Sequence, residues 1–410
     1  MAREKIVVLG MGLSAANLTA VQLETIRSAD LLVGGRRHLA PFADLAMEKQ
    51  TIGGDLEEML AVLRAQAPGR RVVVLASGDP LLFGIGARIV REMGPENVRI
   101  VPNVSSMAAA FARIHEPWEA AALVSLHGRS DTGPLAAALK SNLLVAVLTD
   151  GRHTPAWLAG WLLEKGADHF KLAVFEQLGT DREKYAWYSP AQAAVLNFDA
   201  PNLVVVKADA EQMRAVQKQH IGLVDHCYEH ENGLITKPEV RAVVLAKLAL
   251  APGLTLWDLG AGSGAVGIEA SLLLGAGRVA AVEEKAERVA RIQANARRFG
   301  VYNLDVLQAT LPDGMDLLPR PDRVFVGGGG RDLAQIIGQA AGRLGAGGVM
   351  VVNTVLLDNL AQATEALEAR GLSVDVVQIQ ISRSKPMPWS RRLAADNPVW
   401  IVSGKKKEER

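Results

Sequence analysis

Short apolar runs separated by amphipathic segments dominate the first half of the chain. Apolar runs bounded by glycine, proline or polar residues predict buried strands, and longer amphipathic segments predict helices. The predicted helices cover residues 18–28 and 85–93, and the predicted strands cover residues 5–9, 31–33, 71–76, 98–101, 122–126, 143–148, 172–175 and 203–206. Alternation of strands and helices indicates parallel sheets with helices on their faces. Because the pattern pauses near residues 116–118, we expect two α/β lobes within residues 1–210.

A second α/β pattern begins after a polar stretch. Residues 209–219 predict a polar helix or linker, and residues 221–233 predict an irregular segment. A helix is then expected at 237–250, and strands are expected at 254–259, 279–282, 304–307, 323–326, 348–353, 373–380 and 398–402. Seven strands with a hairpin-like end resemble the class I, Rossmann-like methyltransferases. The predicted organisation is an α/β protein with a two-lobed domain at 1–210, a linker at 211–220, the class I domain at 221–404 and a charged tail at 405–410.

Composition restricts the classes of partner. The chain has 410 residues, of which 49% are hydrophobic and 22% charged, with a net charge of +1. This balance provides no overall field for recruiting nucleic acid or an anionic membrane, and neither is expected as a partner. One cysteine, Cys227, excludes an internal disulfide and suits a reducing compartment. The chain begins without an apolar signal segment, and no apolar run reaches the ~18 residues that span a bilayer. A cytoplasmic location is therefore expected.

A glycine-rich turn between a predicted strand and a predicted helix is the strongest chemical signal. Residues 258–264 have the sequence Asp-Leu-Gly-Ala-Gly-Ser-Gly. Such a turn exposes backbone to a ligand and directs the amides of the following helix towards it. Residues 262–267 also fit the dinucleotide pattern G-x-G-x-x-G, which alone is a weak signal. The acidic residue before the first glycine favours S-adenosylmethionine, because that ligand has no pyrophosphate and its amino group can meet the carboxylate of Asp258.

Two further features belong to the same predicted site. Glu283 ends the next strand, where its carboxylate could accept hydrogen bonds from a ribose diol. Four glycines at 327–330 follow the fourth strand of this half, at the edge of the sheet where ligands lie in open α/β folds. They predict a wide, bare floor for a flat substrate. A flexible loop is the alternative for these four glycines, and a nicotinamide cofactor or an empty glycine turn is the alternative for the first motif.

Several motifs of the second half together resemble the CbiT family of precorrin C15 methyltransferases (decarboxylating). They are Gly-Leu-Ile-Thr-Lys-Pro-Glu-Val-Arg at 233–241, the glycine turns at 258–264 and 326–330, Asn-Thr at 353–354 and Asn-Pro-Val-Trp at 397–400. The resemblance covers about residues 221–404. It implies S-adenosylmethionine contacts at Thr236, Gly260, Ala261, Gly262, Ser263, Gly264, Glu283 and the backbone near Leu311. It departs from the family at 308–311, where Gln-Ala-Thr-Leu replaces a common Gly-Asp-Ala.

The first half carries a different set of turns. Gly10-Met11-Gly12 follows the first strand, but Ala15 stands where a dinucleotide fold would have its third glycine, and no acidic residue closes the second strand. The fourth strand of the lobe runs into Ser-Gly-Asp-Pro at 77–80, a turn that leaves amides free for a ligand. Residues 102–106, Pro-Asn-Val-Ser-Ser, place a serine where it can cap a helix that starts near Met107.

These turns resemble the tetrapyrrole methylases, most closely the CbiE branch that methylates C5. The resemblance covers about residues 5–208 and implies S-adenosylmethionine held between the two lobes. The contacts carried over are Gly78, Asp79, Leu82, Ser105 and Ser106. Asp79 is predicted as a cofactor or substrate ligand, with a turn-capping aspartate as the alternative. His-Gly-Arg at 127–129 and Thr-Asp-Gly-Arg at 149–152 should face the same cleft.

With a CbiE-like half followed by a CbiT-like half, the chain resembles the CbiE–CbiT fusions of corrin biosynthesis. They imply two S-adenosylmethionine sites and methylation of a precorrin or cobalt-precorrin at C5 and C15, with loss of CO₂ from the ring C (C12) acetate. Substrate carboxylates call for cationic side chains. The candidates are Arg129, Arg152, Lys237, Arg241, Arg383 and Lys385, of which residues 383–385 are predicted to lie on a loop between the last two strands.

The sequence gives less support to other classes of function. Cys227 and His230 have ligand-like spacing, but the sequence has no second pair of closely spaced ligands to complete a zinc site, so no metal site is expected. The sequence identifies no general base. A homo-oligomer is expected. The alternatives to a double methylase are a methylase fused to an NAD-dependent dehydrogenase and a non-enzymatic corrinoid-binding scaffold.

Overall fold

The computed structural model describes residues 6–53, 56–209, 211 and 216–408. Parts of the predicted linker (212–215) and tail (409–410) therefore lie outside the described residues. The chain divides into two compact units: one contains residues 1–129, 144–160 and 171–207, and the other contains 130–143, 161–170 and 208–410. No helix in the described part of the chain is both long and apolar enough to cross a membrane.

The first lobe of the first unit is a parallel five-stranded sheet in the order β3-β2-β4-β1-β5. Its strands are β1 Ile6–Gly10, β2 Leu31–Gly34, β3 Glu48–Thr51, β4 Val72–Ala76 and β5 Val98–Val101. Its helices are α1 Ala20–Arg27, α2 Arg36–Leu39, α3 Leu56–Gln66, α4 Gly86–Met93 and α5 Ser106–Ile114. Neighbouring residues of one strand enter opposite cores: Val8 packs on one face of the sheet and Leu9 on the other. The sequence pattern missed β3, because this edge strand is polar and mostly exposed.

The second lobe is a mixed sheet in the order β6-β7-β10-β8-β9. Its strands are β6 Ala122–Ser125, β7 Leu144–Leu148, β8 Lys171–Glu176, β9 Lys184–Tyr188 and β10 Asn202–Lys207. Three helices lie between these strands along the chain: α6 Gly133–Ser141, α7 Pro155–Glu164 and α8 Pro190–Ala193. Helix α8 and residues 155–160 of α7 belong to the first unit, whereas α6 and the end of α7 are assigned to the second unit. Strand β10 pairs antiparallel with both of its neighbours. Phe111 of α5 belongs to the same buried cluster as Phe175 and Val205, so this helix packs on the second sheet. The predicted pair of α/β lobes is confirmed.

The main sheet of the second unit has seven strands in the order β13-β12-β11-β14-β15-β19-β16. They are β11 Thr255–Leu259, β12 Arg278–Glu283, β13 Leu304–Gln308, β14 Arg323–Val326, β15 Val349–Thr354, β16 Ser373–Ile379 and β19 Val399–Lys405. The helices are α9 Pro238–Leu248, α10 Ala265–Leu274, α11 Ala286–Arg298, α12 Leu333–Arg343 and α13 Leu357–Glu368. Strand β19 inserts antiparallel between β15 and β16, as the hairpin-like end predicted. The strand order reverses between β11 and β14, which is where ligands bind in such sheets. The class I, Rossmann-like prediction is confirmed.

One prediction about this unit is wrong. The stretch between the last two predicted strands is not a loop but a hairpin of β17 Ser382–Met387 and β18 Ser390–Ala395, joined by two residues. Arg383 and Lys385 therefore lie on β17. The sequence did not indicate these strands because the two-stranded ribbon is largely exposed and polar, and Pro386 within it argues against a strand.

Candidate functional site

The glycine turn of the second unit connects β11 to α10 and adopts a backbone that favours glycine. Gly260 and Gly262 have φ of +72° and +58°. A Cβ at Gly260 would lie 3.1 Å from the backbone nitrogen of Gly328, so the turn packs against the four-glycine loop after β14. A Cβ at Gly262 would meet no atom within 4 Å. Gly262 therefore faces open space, and bare backbone is available there to a ligand.

Glu283 fixes the other side of this turn. Its Oε2 accepts a hydrogen bond from Gly262 N at 2.9 Å, and its Oε1 accepts one from Lys285 N at 3.2 Å. The residue is only 5% exposed, yet it lines the cavity described next. A buried carboxylate that ends β12 and faces a cavity can accept further hydrogen bonds from hydroxyl groups.

A cavity of about 1130 Å³ opens at the carboxyl ends of β11, β12, β14 and β15. The predicted cofactor residues that line it are Thr236, Gly260, Ala261, Gly262, Ser263, Glu283 and Leu311. The glycines at 327–330 line it as well, as does the segment 353–356 that ends β15. Gly264 and Asp258 do not form part of this wall. Most residues that the sequence predicted for one ligand are thus brought together around one volume.

Asp258 lies beneath the glycine turn rather than in the cavity. Its Oδ2 accepts a hydrogen bond from Gly267 N at 3.0 Å, while its Oδ1 is buried and has no hydrogen-bond partner. Burial raises the pKa of Asp258 to about 7, and the nearby charge of Glu283 adds to that effect. Asp258 does not line the cavity, so the structure does not place its carboxylate where the sequence suggested, beside a ligand's amino group.

The raised pKa of Asp258 gives a pH-dependent prediction. Since the folded-state pKa of about 7 exceeds the ordinary value of 3.8, the folded unit favours the protonated acid. Its stabilising contribution is present below about pH 4 and is lost as the pH rises to 7, by at most about 4 kcal/mol. Asp258→Asn keeps an oxygen for Gly267 and does not titrate. We expect the melting temperature of Asp258→Asn relative to wild type to increase between pH 5 and 8, measured by calorimetry on the full chain; a difference independent of pH would contradict the assignment.

A buried ion pair holds the irregular segment that borders the cavity. Arg241 Nε donates to Glu269 Oε1 at 2.9 Å, and both side chains are fully buried. Arg241 also donates to the carbonyl oxygens of Leu223 and Thr236, and Glu269 accepts from Leu223 N at 3.1 Å. The hydroxyl of Tyr228 donates to Glu269 Oε1 at 3.1 Å. Arg241 therefore does not face a substrate: the sequence-based suggestion is corrected, because every side-chain nitrogen of this guanidinium is engaged in the core.

The remaining predicted cations of the second unit differ in their surroundings. Lys237 lines the cavity, and its Nζ lies 2.8 Å from Asp225 Oδ2. Arg383 is paired with Glu239 at 2.6 Å and with Asp396 at 3.0 Å, and the bond to Glu239 raises its pKa. Lys385 is exposed on β17 and does not line the cavity. Of the four, only Lys237 is placed beside the open volume.

The cavity has polar residues that the sequence did not single out. Arg331 follows the four glycines directly and lines the cavity, and none of the ion pairs among the described residues involves it. Arg288 and Arg291 also line the cavity, but both lie near Glu231 Oε2, at 2.9 and 3.6 Å. Asn353 lines the cavity with both polar side-chain atoms unpaired. The position of Arg331 immediately after the glycine run is a signal that could have identified it.

The predicted site of the first unit is a junction of three turns. Gly78 N donates to Gly12 O at 3.1 Å, and Asn103 Nδ2 donates to Gly10 O at 3.0 Å. A Cβ at Gly10 would lie 2.3 Å from Gly78 O, so no other residue fits there without displacing the turn. The ends of β1, β4 and β5 are thus locked together, at the carboxyl edge of the sheet where a ligand is expected.

The individual predicted residues of this junction have visible local roles. Asp79 Oδ1 accepts from Leu81 N at 2.8 Å, which is the turn-capping arrangement. Ser105 Oγ accepts from Ala108 N at 3.1 Å and caps α5, and Ser106 begins that helix. Leu82 packs against the buried cluster that contains Met107 and Phe111. The backbone of these turns remains the surface that could hold a cofactor.

The two predicted cations of the first unit are Arg129 and Arg152, which lie on two turns that are linked by one aspartate. The guanidinium of Arg129 lies 5.8 Å from the ring centroid of Phe83, within the segment that follows Asp79. Asp150 accepts hydrogen bonds from the backbone amides of Gly128, Arg152 and His153, at 2.9, 2.8 and 2.6 Å, and these bonds lower its pKa. Asp150 therefore joins the turn that carries Arg129 to the turn that carries Arg152.

A third basic group was missed by the sequence analysis. Arg37 Nη2 donates to Ser77 Oγ at 2.6 Å, and Arg37 Nε donates to His38 Nε2 at 3.3 Å. Burial lowers the pKa of His38 to about 4, so its ring is neutral near pH 7. This network lies at the carboxyl ends of β2 and β4, next to the Gly-Asp-Pro turn. Within the described residues, no group of three or more His, Cys, Asp or Glu side chains is arranged to hold a metal ion.

Each half of the chain matches a different family of known proteins. Residues 5–190 match the model of the tetrapyrrole (corrin/porphyrin) methylases, and residues 226–406 match that of the precorrin methyltransferase domain. A precorrin-6Y C(5,15)-methyltransferase [decarboxylating] from Sinorhizobium sp is 34% identical over 93% of this chain and 89% of its own length.

Relatives of each half alone are also found. A cobalt-precorrin-7 C(5)-methyltransferase of Salmonella typhimurium is 35% identical over 48% of this chain and 97% of its own length. A probable cobalt-precorrin-6B C(15)-methyltransferase (decarboxylating) of Pyrobaculum calidifontis is 40% identical over 44% of this chain and 94% of its own length.

Proposed function

Because the chain belongs to the family of precorrin-6Y C(5,15)-methyltransferases (decarboxylating), we propose that it methylates a precorrin at C5 and C15 and removes one carboxyl group, in cobalamin biosynthesis. The first unit is assigned C5 methylation, and the second is assigned C15 methylation with decarboxylation. The observation that carries the proposal is the cavity of the second unit, which gathers the glycine turn, Glu283 and the four-glycine floor around one volume.

The second unit fits S-adenosylmethionine, which when bound supplies an activated methyl group on its sulfonium. The turn at 260–263 offers bare backbone, and Glu283 offers carboxylate oxygens for the ribose hydroxyls. These residues follow β11 and β12, on one side of the strand-order reversal. The glycines at 327–330 follow β14 on the other side, where a flat macrocycle can lie on them without side-chain obstruction. The protein's main task is to hold a carbon of the macrocycle in line with the methyl group and to exclude water.

Decarboxylation needs a place for the electron pair of the broken C–C bond. In a precorrin the conjugated macrocycle accepts that pair, so the protein has to bind and orient the side chain that loses CO₂. Arg331 is the cavity cation best placed to hold a substrate carboxylate, because the other cations that line the cavity lie beside acidic residues. Lys237 is the second candidate, and a substrate carboxylate would compete there with Asp225.

The first unit is proposed to hold a second S-adenosylmethionine on the backbone of its three locked turns, near Gly78 and Ser105. Substrate carboxylates would then meet Arg129 and Arg152, together with Arg37, whose guanidinium Ser77 and neutral His38 orient. Cations at these positions suit a substrate that carries many carboxylates.

The decisive experiment incubates the full chain with S-adenosylmethionine and precorrin-6Y, with and without cobalt, and follows product mass. The expected product has gained two methyl groups and lost one CO₂. Calorimetric titration with S-adenosylhomocysteine should give two binding sites per chain. Binding of NAD by the second unit would favour the dehydrogenase alternative, and substrate binding without any mass change would favour a scaffold. The predicted homo-oligomer is checked by light scattering.

A further inference from the structure

Asn353 occupies the position where a buried strand opens into the cavity of the second unit. It is the penultimate residue of β15, between the end of β14 and Ile401 of β19. Val351 and Val349, two and four residues earlier, belong to one buried cluster with Phe325 and Ile401. Because side chains alternate along a strand, Asn353 continues that row. The row of apolar side chains formed by Val349 and Val351 thus ends in the carboxamide of Asn353, at the wall of the cavity.

The carboxamide of Asn353 has no partner in the protein. Both Nδ2 and Oδ1 are buried, and neither makes a hydrogen bond. The local turn does not need it, because Thr354 Oγ1 already accepts from Leu356 N at 3.0 Å. Buried polar groups in folded proteins are nearly always hydrogen-bonded, so a donor and an acceptor left open together indicate a ligand or ordered water.

The position within the sheet indicates which ligand. Apart from Thr236, the predicted cofactor residues that line the cavity follow β11, β12 and β13, whereas Asn353 lies near the end of β15 on the opposite side of the strand-order reversal. Its neighbours in the cavity wall include the four-glycine loop and Arg331, a cation without an acidic partner among the described residues. A precorrin offers carboxylate oxygens and ring N–H groups. A neutral carboxamide can donate to the first and accept from the second.

We infer that Asn353 is a substrate-binding residue of the second unit: Nδ2 donates to a side-chain carboxylate of the precorrin, and Oδ1 accepts from a ring N–H. The inference rests on the proposed function of this unit. Asn353 then recognises the substrate and not the methyl donor.

Two substitutions test the assignment in the full chain. Asn353→Leu removes both polar atoms at similar volume, and Asn353→Asp keeps an acceptor but places a negative charge against the carboxylate. With precorrin-6Y as the probe, we expect Asn353→Leu to raise KM for C15 methylation by about 10- to 100-fold. Asn353→Asp should raise it further. The affinity for S-adenosylhomocysteine and the rate of C5 methylation should stay at wild-type values in both.

Thermal stability separates this role from a structural one. Because the amide has no partner in the ligand-free protein, replacing it by leucine should leave the melting temperature unchanged or raise it. A lowered melting temperature with unchanged KM, or a loss of S-adenosylhomocysteine binding, would overturn the assignment. An Asn353→Asp variant as active as wild type would do so as well. Failure of the proposed function itself is distinguishable, because then the wild-type chain gives no C15 methylation.

Discussion

Substitution of Gly262 by leucine should abolish C15 methylation, reducing it at least about 100-fold, and leave C5 methylation intact. Gly262 has φ of +58°, and no protein atom lies within 4 Å of the position its Cβ would take. A leucine there adopts a backbone that costs about 1–2 kcal/mol, and its side chain fills space reserved for a ligand. The loss should appear as a fall from two S-adenosylhomocysteine sites per chain to one. C5 methylation is assayed separately on the C15-methylated, decarboxylated intermediate.

Gly371 offers a matched control for this substitution. It has a similar φ of +73° and equally open surroundings, but it lies after α13 and does not line the cavity. Gly371→Leu should therefore show the backbone penalty alone, with both methylations and both binding sites retained. If Gly262→Leu impaired C5 and C15 methylation equally, the proposal of two independent sites would be wrong.

Replacement of Arg241 by methionine should destabilise the second unit by about 3–5 kcal/mol, because the buried carboxylate of Glu269 loses its counter-charge. The carbonyl oxygens of Leu223 and Thr236 lose their donor in the same substitution. Since Thr236 lines the cavity, binding of S-adenosylhomocysteine by this unit should weaken too. The measurements are the unfolding transition of the full chain by calorimetry and the binding stoichiometry.

Arg383→Met is the control for this prediction. Arg383 also contacts two carboxylates, but its side chain is 40% exposed, and exposed ion pairs contribute at most about 1 kcal/mol. Adding Glu269→Gln to Arg241→Met should recover part of the lost stability, because the uncompensated charge is then removed. Equal effects of the two arginine substitutions would mean that Arg241 is no more important to the core than a surface residue.

The sequence contains a signal for the burial of Arg241, because this arginine lies on an otherwise apolar helix face. On α9 the buried positions are 240, 241, 244, 245 and 248, and Arg241 is the one charged member of that face. On α10, Glu269 is likewise the one charged residue of an almost entirely apolar helix. Two opposite charges, each alone on a buried helix face, predict a buried ion pair. The pattern does not say that the two helices meet, which depends on how they pack beside each other in the same core.

The element pattern and the glycine turns were accessible because they depend on local order along the chain. A buried parallel strand has to be apolar over its length, and a tight turn against a ligand requires glycine at particular spacings. Those rules located the strands of all three main sheets apart from the edge strands β3 and β9, and they located the turns after β4, β11 and β14. The exposed edge strands and the β17–β18 hairpin were not predicted, because they do not have to bury a face.

Which charged residues surround the cavity was decided by the tertiary structure alone. Lys237 and Arg241 are four residues apart, yet one borders the cavity and the other lies in the core beside Glu269. Asp258 belongs to the glycine motif but is buried beneath it, and the amide atoms of Asn353, on the strand between β14 and β19, are buried without a hydrogen-bond partner. Local patterns along the chain were sufficient to predict most of the helices and strands, the two lobes, the class I sheet and the glycine turns. The direction of each polar side chain follows from contacts between segments far apart in the chain, which no local pattern encodes.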